Sequence, residues 1–225
     1  MTTKGQGHLQ VLRNGTDRRR IKGEASRRLI LQAAIACIAT QGLSNTTLDR
    51  VAEGAGVSRA LVIFHFKSKR GLLAEVLDFL GGRYTEGWDM AIAEGGASTM
   101  EKLLRLLDYD VGFASEHPEF LSTWYAFWGE ANGNSLYHEL SFPRDKRYAD
   151  DVRRLLASLI EEGGYDQSNL TALRMGITAM LFGLWIEAHL NPSPDNYREG
   201  MAAVRLFCSN AFPKHQLPPA PARAI

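Results

Sequence analysis

Residues Val51 to Lys69 read VAEGAGVSRALVIFHFKSK. Two short helical segments flank one glycine-containing turn, and cations follow at once. The first segment carries Leu48, Val51, Ala52 and Ala55 on one face, and Thr46 or Thr47 can cap it with a side-chain hydroxyl. Gly56 permits a tight turn with positive φ. Ser58 caps the second segment, which ends near Phe64 or His65. Leu61, Val62 and Phe66 form its inner face. Its outer face carries Ser58, Arg59, Ala60, Ile63 and Phe64.

Outward from this stretch the pattern stays helical. Upstream, Ile30, Ala34, Cys37, Ile38 and Gln41 make a stripe at helical spacing, in a helix expected from Glu24 and ended by Gly42. Downstream, Ser68 caps a helix with Leu72, Leu73, Val76, Leu77 and Leu80 inward, and Gly81-Gly82 is expected to bend or interrupt it. Further helices are expected over 100–115, 118–131, 148–162, 169–190 and 194–212, with Pro143 breaking the region before the third of these. No strand alternation and no internal repeat is visible, so the fold class is all-α. The expected organisation is a flexible basic arm over 1–22, a three-helix helix-turn-helix unit over 23–70, a larger helical unit over 71–214 and a Pro-rich tail over 215–225.

Composition narrows the function classes. The 225 residues carry a net charge of only +1. Residues 1–75 nevertheless hold 13 Lys and Arg against 5 Asp and Glu, and residues 76–225 hold 13 against 20. Such asymmetry points to an anionic partner at the basic end. The longest apolar run, Met175 to Ile186, falls short of the roughly 20 residues of a membrane span and reads as a buried helix. Cys37 and Cys208 lie in apolar helical contexts without metal-ligand spacing, so free thiols and a cytoplasmic setting without metal or cofactor are expected. No nucleophile constellation or phosphate loop suggests an enzyme.

Helix, glycine turn and short helix is the geometry that lays a second helix in the DNA major groove. The planar fork of Arg59 suits guanine O6 and N7, while His65, Lys67 and Lys69 are placed for phosphates. The stretches TTLDRVAEGAGVS (46–58) and HFKSK with Leu72, together with ILQAA (30–34), resemble the DNA-binding domain of the TetR family of regulators. The resemblance implies a three-helix unit joined through a fourth helix to a ligand and dimerisation domain. It also implies that Thr47, His65 and Lys69 contact phosphate and that 58–64 is the recognition helix. Two positions depart from the family pattern, which has Gly at Ala60 and Tyr at Ile63. Ile63 has no phenolic hydroxyl for a phosphate, but it can meet a thymine methyl or pack.

The stretches WYAFW (124–128), SLY (135–137) and GLWIEA (183–188), with GLL (71–73), resemble the BetI-like subgroup of that family, which implies a choline-type effector. Trp124 and Trp128 share a helix face with Leu121, which reads either as core or as a box for a cationic ligand, since aromatic faces attract quaternary ammonium groups. Tyr109, Asp110, Phe113, Glu130, Trp185 and Glu187 are further pocket candidates, although Glu187 can equally pair with an arginine or a neighbouring subunit. Ile177, Leu181, Leu184 and Trp185 cannot all face one core from one helix, so Ile177, Leu181, Leu184, Val204 and Phe207 are expected to meet a second copy. A two-fold dimer matches an inverted-repeat operator. The expected function is a DNA-binding regulator, a repressor released by a small cationic molecule. The alternative is a nonspecific or architectural DNA-binding protein without an effector.

Overall fold

The computed structural model describes residues 4–94, 96, 98–130 and 135–219, with side chains from Ile21 on. Among them there are ten α-helices, one short 3-10 turn and no strand. The chain divides into two compact units, 1–76 and 77–225.

The first unit comprises α1 (Lys4–Asn45), α2 (Leu48–Gly54), α3 (Arg59–Phe66) and the opening turns of α4 (Lys69–Ala93). Helix α1 starts earlier than expected, since residues 4–22 are helical where an arm without helical period was anticipated. The first three residues of that arm lie outside the described residues. At the other end Gly42 leaves the helical region at φ 76° and ψ 169°, a conformation essentially reserved for glycine. Ile30, Ala34, Ile38, Val51, Val62, Phe66, Leu72 and Val76 form a closed core. Helices α2, α3 and α4 each begin on a hydroxyl cap. Thr47 Oγ1 accepts from the Arg50 amide (3.3 Å), Ser58 Oγ from the Leu61 amide (3.2 Å) and Ser68 Oγ from the Gly71 amide (3.0 Å). Thr46 takes the other task and donates back to the Gly42 carbonyl at 2.8 Å.

The second unit is built from the rest of α4 with α5 (Thr99–Glu116), α6 (Pro118–Gly129), α7 (Ser135–Leu140), α8 (Phe142–Gly163), α9 (Leu170–Leu190) and α10 (Asn196–Ala211). Two expectations are corrected. Pro143 does not break the chain. It occupies the first turn of α8, where its fixed φ suits the helix and its missing N–H is not needed. Gly81 and Gly82 do not interrupt α4 either. A Cβ at Gly81 would lie 1.9 Å from the Arg144 guanidinium carbon, so the glycine makes room for a side chain from α8. Part of the Pro-rich tail is docked, with the Arg205 guanidinium donating to the Pro218 carbonyl. Residues 220–225 of the expected tail lie outside the described residues.

Helix α9 and the 3-10 turn before it, Gln167–Leu190, have the length and hydropathy of a membrane span. Ile177, Leu181, Trp185 and Ala188 nevertheless pack into the unit. The opposite face of α9 exposes Met175, Phe182, Ile186 and Leu190, and α10 exposes Leu206.

Candidate functional site

Two places carry the chemistry. One is the outer face of α3. Val62 and Phe66 hold it inward, leaving Arg59, Ala60, Ile63 and Phe64 facing solvent. Phe64 is 68% exposed, an unusual cost for an aromatic ring unless something covers it. The Arg59 Nε lies 3.5 Å from Asp49 on α2, and both side chains are mostly exposed. The Lys67 ammonium folds over the Phe64 ring at 5.4 Å and donates to the Phe64 carbonyl at 2.8 Å. Burial first, then the Arg27 and Lys67 charges, hold the His65 imidazole below its ordinary value, so its neutral form is favoured.

The backbone leaving α3 is strained. Lys67 has φ 66° and ψ −44°, and the Ser68 amide donates to the Phe66 carbonyl at 2.8 Å across it, which makes a γ-turn. That carbonyl then presses on α4, where a Cβ at Gly71 would approach it to 2.2 Å. Lys69, expected to contact phosphate, also has a structural role. Its ammonium donates to the Leu43 carbonyl (2.8 Å) and the Ser44 carbonyl (3.3 Å), capping the end of α1. Thr47 and Ser58 are likewise engaged as helix caps.

The second place is a cavity of about 110 Å³ inside the second unit. One water needs only about 10–15 Å³, so a small organic molecule fits. Helix α4 contributes Tyr84 and Trp88, α5 Asp110, and α6 Trp124 and Trp128. Helix α8 contributes Asp145, Tyr148 and Ala149, and α9 contributes Thr178, Leu181, Phe182 and Trp185. The rings meet edge to face. Tyr84 stands at 89° to Trp88, 69° to Trp124 and 90° to Trp185, with centroids 5.2, 5.9 and 5.7 Å away. These walls are a box of π-faces.

The floor of that box is a carboxylate. Asp110 is 4% exposed. Its Oδ2 accepts from the Tyr84 hydroxyl and its Oδ1 from the Trp185 indole N–H, both at 2.6 Å. The Tyr148 hydroxyl faces it as well. Burial raises its carboxyl above the usual range, while the donors from Tyr84, Tyr148 and Trp185 pull the other way. Among the described residues no basic side chain pairs with it. Asp110 is thus a buried acid with hydrogen bonds but no countercharge among the described residues, ringed by aromatic side chains, and such rings attract cations.

The candidates read from sequence divide accordingly. Trp124, Trp128, Trp185 and Asp110 line the cavity. Tyr109 and Phe113 lie behind it, Tyr109 donating to the Tyr84 carbonyl at 2.9 Å and Phe113 packing against Tyr84 and Trp185. Glu130 caps the exposed end of α6 and Glu187 accepts from Asn191, so neither belongs to the lining. Tyr84, Trp88, Asp145 and Tyr148 complete the wall and carry no local sequence signal of that role. Of the residues expected to meet a second copy, Ile177, Leu181 and Val204 are buried within the unit, and Leu184 and Phe207 are half-buried. The outward face belongs instead to Met175, Phe182, Ile186, Leu190 and Leu206.

Comparison with known proteins follows this division. Residues 30–76 match the family of bacterial regulatory proteins, tetR family, and residues 100–212 match the BetI-type transcriptional repressor C-terminal family. The HTH-type transcriptional regulator BetI of Vibrio vulnificus is 27% identical over 169 residues, covering 74% of this chain and 82% of that protein. BetI of Paraburkholderia phymatum is 29% identical over 190 residues, covering 81% and 89%. A transcriptional regulator from Pseudomonas aeruginosa superposes with TM-score 0.75 at 24% identity, covering 84% of this chain and 91% of that one. A transcriptional regulator from Saccharomonospora viridis, solved in complex with choline, superposes at 0.70 with 22% identity, covering 83% and 96%. The likeness to the two structures establishes the fold.

Proposed function

The chain belongs to the TetR family of transcriptional regulators with a BetI-type C-terminal half, and from that premise we propose a homodimeric, cytoplasmic repressor that a quaternary ammonium compound of the choline class releases from an inverted-repeat operator. The observation that carries the effector reading is the aromatic box closed by Asp110. A trimethylammonium head is large, weakly hydrated and unable to donate a strong hydrogen bond. Aromatic faces suit it, each worth about 0.5–2 kcal/mol. The choline-bound relative of the same fold adds support.

The basic first unit supports the DNA reading. Arg59, Ile63 and Phe64 face outward from α3 for base edges and thymine methyls, while Lys67 and the neutral His65 lie beside them as phosphate donors. The apolar outward face of α9 and α10 supports the dimer. Release follows only if the cation binds the operator-poor state more tightly than the operator-bound one, since equal affinities shift nothing.

The test begins with DNA selected by the protein from a random pool, which should converge on an inverted repeat. Choline is then titrated into the complex while fluorescence anisotropy follows DNA release. 3,3-Dimethyl-1-butanol, the uncharged carbon analogue of choline, serves as the control. Release by choline and not by the alcohol is expected. Equal release by both, or by neither, sinks the cation reading. Binding without sequence preference sinks the operator reading.

A further inference from the structure

The cavity holds a second carboxylate, which the cation site does not use. Asp145 comes from α8, opposite the Asp110 helix, and its side chain is exposed where that of Asp110 is buried. It therefore stands at the mouth, with the aromatic walls and Asp110 beyond it. Its Oδ2 accepts from the Tyr137 hydroxyl at 3.0 Å. That hydroxyl in turn accepts from the Trp128 indole N–H. An indole nitrogen only donates, so the Tyr137 proton is left to point at Asp145. One oxygen of Asp145 is thereby fixed in place, while Oδ1 accepts nothing from the described residues.

None of the twelve lining residues is basic. Of the two nearest arginines on α8, Arg144 acts on Asp145 through its charge, but both spend their hydrogen bonds elsewhere. Arg144 donates to the Leu77 carbonyl at 3.1 Å and pairs with Asp78 on α4. Arg147 lies over the Trp88 ring at 5.6 Å and pairs with Asp89. Asp110 and Asp145 line the same cavity of about 110 Å³, so a molecule with its cationic head at Asp110 has Asp145 within the same enclosure.

We propose that Asp145 determines specificity by accepting a hydrogen bond from a hydroxyl or ammonium at the far end of the ligand, and by excluding a carboxylate there. The proposal rests on the cation reading of the cavity. It restricts the effector to cations with a terminal donor, amino alcohols or diamines, and rejects zwitterions that share the same head. A carboxylate at the mouth would face two acidic groups, and no basic residue lines the cavity to offset them. Tyr137 acts as a positioning residue, because it holds Asp145 and touches no ligand itself.

Isothermal titration of the full chain with choline, tetramethylammonium and betaine separates the possibilities. Choline should bind about tenfold more tightly than tetramethylammonium, the worth of one hydrogen bond to a charged acceptor. Betaine should bind more weakly than tetramethylammonium. In Asp145→Asn the choline-to-tetramethylammonium ratio should fall toward one while tetramethylammonium still binds, and betaine should gain relative to choline. Tyr137→Phe, which changes no charge, should lower the same ratio by a smaller factor. An unchanged ratio in Asp145→Asn overturns the proposal, as does wild-type protein that binds betaine as tightly as choline. Wild-type protein that binds choline and tetramethylammonium equally overturns this proposal alone. If it binds neither, the cation reading of the cavity falls and takes this proposal with it.

Discussion

Arg59 is the residue on which base recognition turns. Its guanidinium is mostly solvated and its partner among the described residues, Asp49, is an exposed carboxylate worth little as an ion pair. The side chain is therefore free to exchange that partner for a guanine edge. Arg59→Ala should cost about 1–3 kcal/mol on the selected operator and relax one base position, measured by anisotropy on single-base variants. Lys69 is a contrasting case. Because its ammonium caps α1, Lys69→Met should lower unfolding stability by about 1 kcal/mol in urea, beyond any loss of phosphate contact. Asp110 couples effector binding to pH. Its folded pKa is raised, so the empty protein holds the proton over a range where the unfolded chain has lost it. Stability of the empty protein therefore falls as pH rises through that range. A bound cation favours the ionised form, so binding releases a proton. Choline affinity should rise with pH from the ordinary carboxylate range up to the raised value and then level off. Titrations in buffers of different ionisation enthalpy will count that proton. Asp110→Asn should remove the pH dependence along with most of the affinity.

Helices explain why some of this was legible in the sequence and some was not. Helices α2 and α3 announce themselves through local chemistry, a hydroxyl at each start and a glycine between. Lys67 and Gly71 are harder to read, because their meaning lies in the approach of two helices. The Phe66 carbonyl packs where a Cβ of Gly71 would be, and the γ-turn at Lys67 sets that approach. Gly71→Ala should force α3 away from α4 and reduce operator affinity at least tenfold with the fold intact, read by anisotropy alongside circular dichroism. An unchanged affinity would show that the contact is slack. The cavity divides the same way. Trp124 and Trp128 share a face by spacing alone. Asp110 also has a signal, since Leu103, Leu106, Leu107 and Asp110 continue one buried stripe and a charge at its end calls for a partner. Tyr84, Trp88, Asp145 and Tyr148 join the cavity only through packing of α4 and α8, which no local pattern encodes. Glu130 and Glu187 misled because carboxylates near tryptophans suggest a cage, yet both sit at solvated positions.

In the molecule as a whole, α9 and α10 leave an apolar surface uncovered. The apolar residues expected to pair copies are largely spent on the interior, for Ile177 and Val204 are each 2% exposed. A second set points outward, with Ile186 46% exposed and Leu190 and Leu206 more so. Exposed apolar residues of this kind are costly in water, and the proposed two-fold pair would cover them. Ile186→Glu places a charge in that interface without opening a core cavity. It should yield a folded monomer by sedimentation, with choline still bound. Val204→Glu should unfold the unit instead. Monomerisation bears directly on DNA. In a dimer the second half-site is engaged intramolecularly, at an effective concentration far above that of free protein. The monomer loses this advantage, so its affinity for the full inverted repeat should drop to that for a single half-site, and the salt dependence should fall to about half because half the phosphates are neutralised. A dimeric Ile186→Glu protein with full operator affinity would place the pairing surface elsewhere.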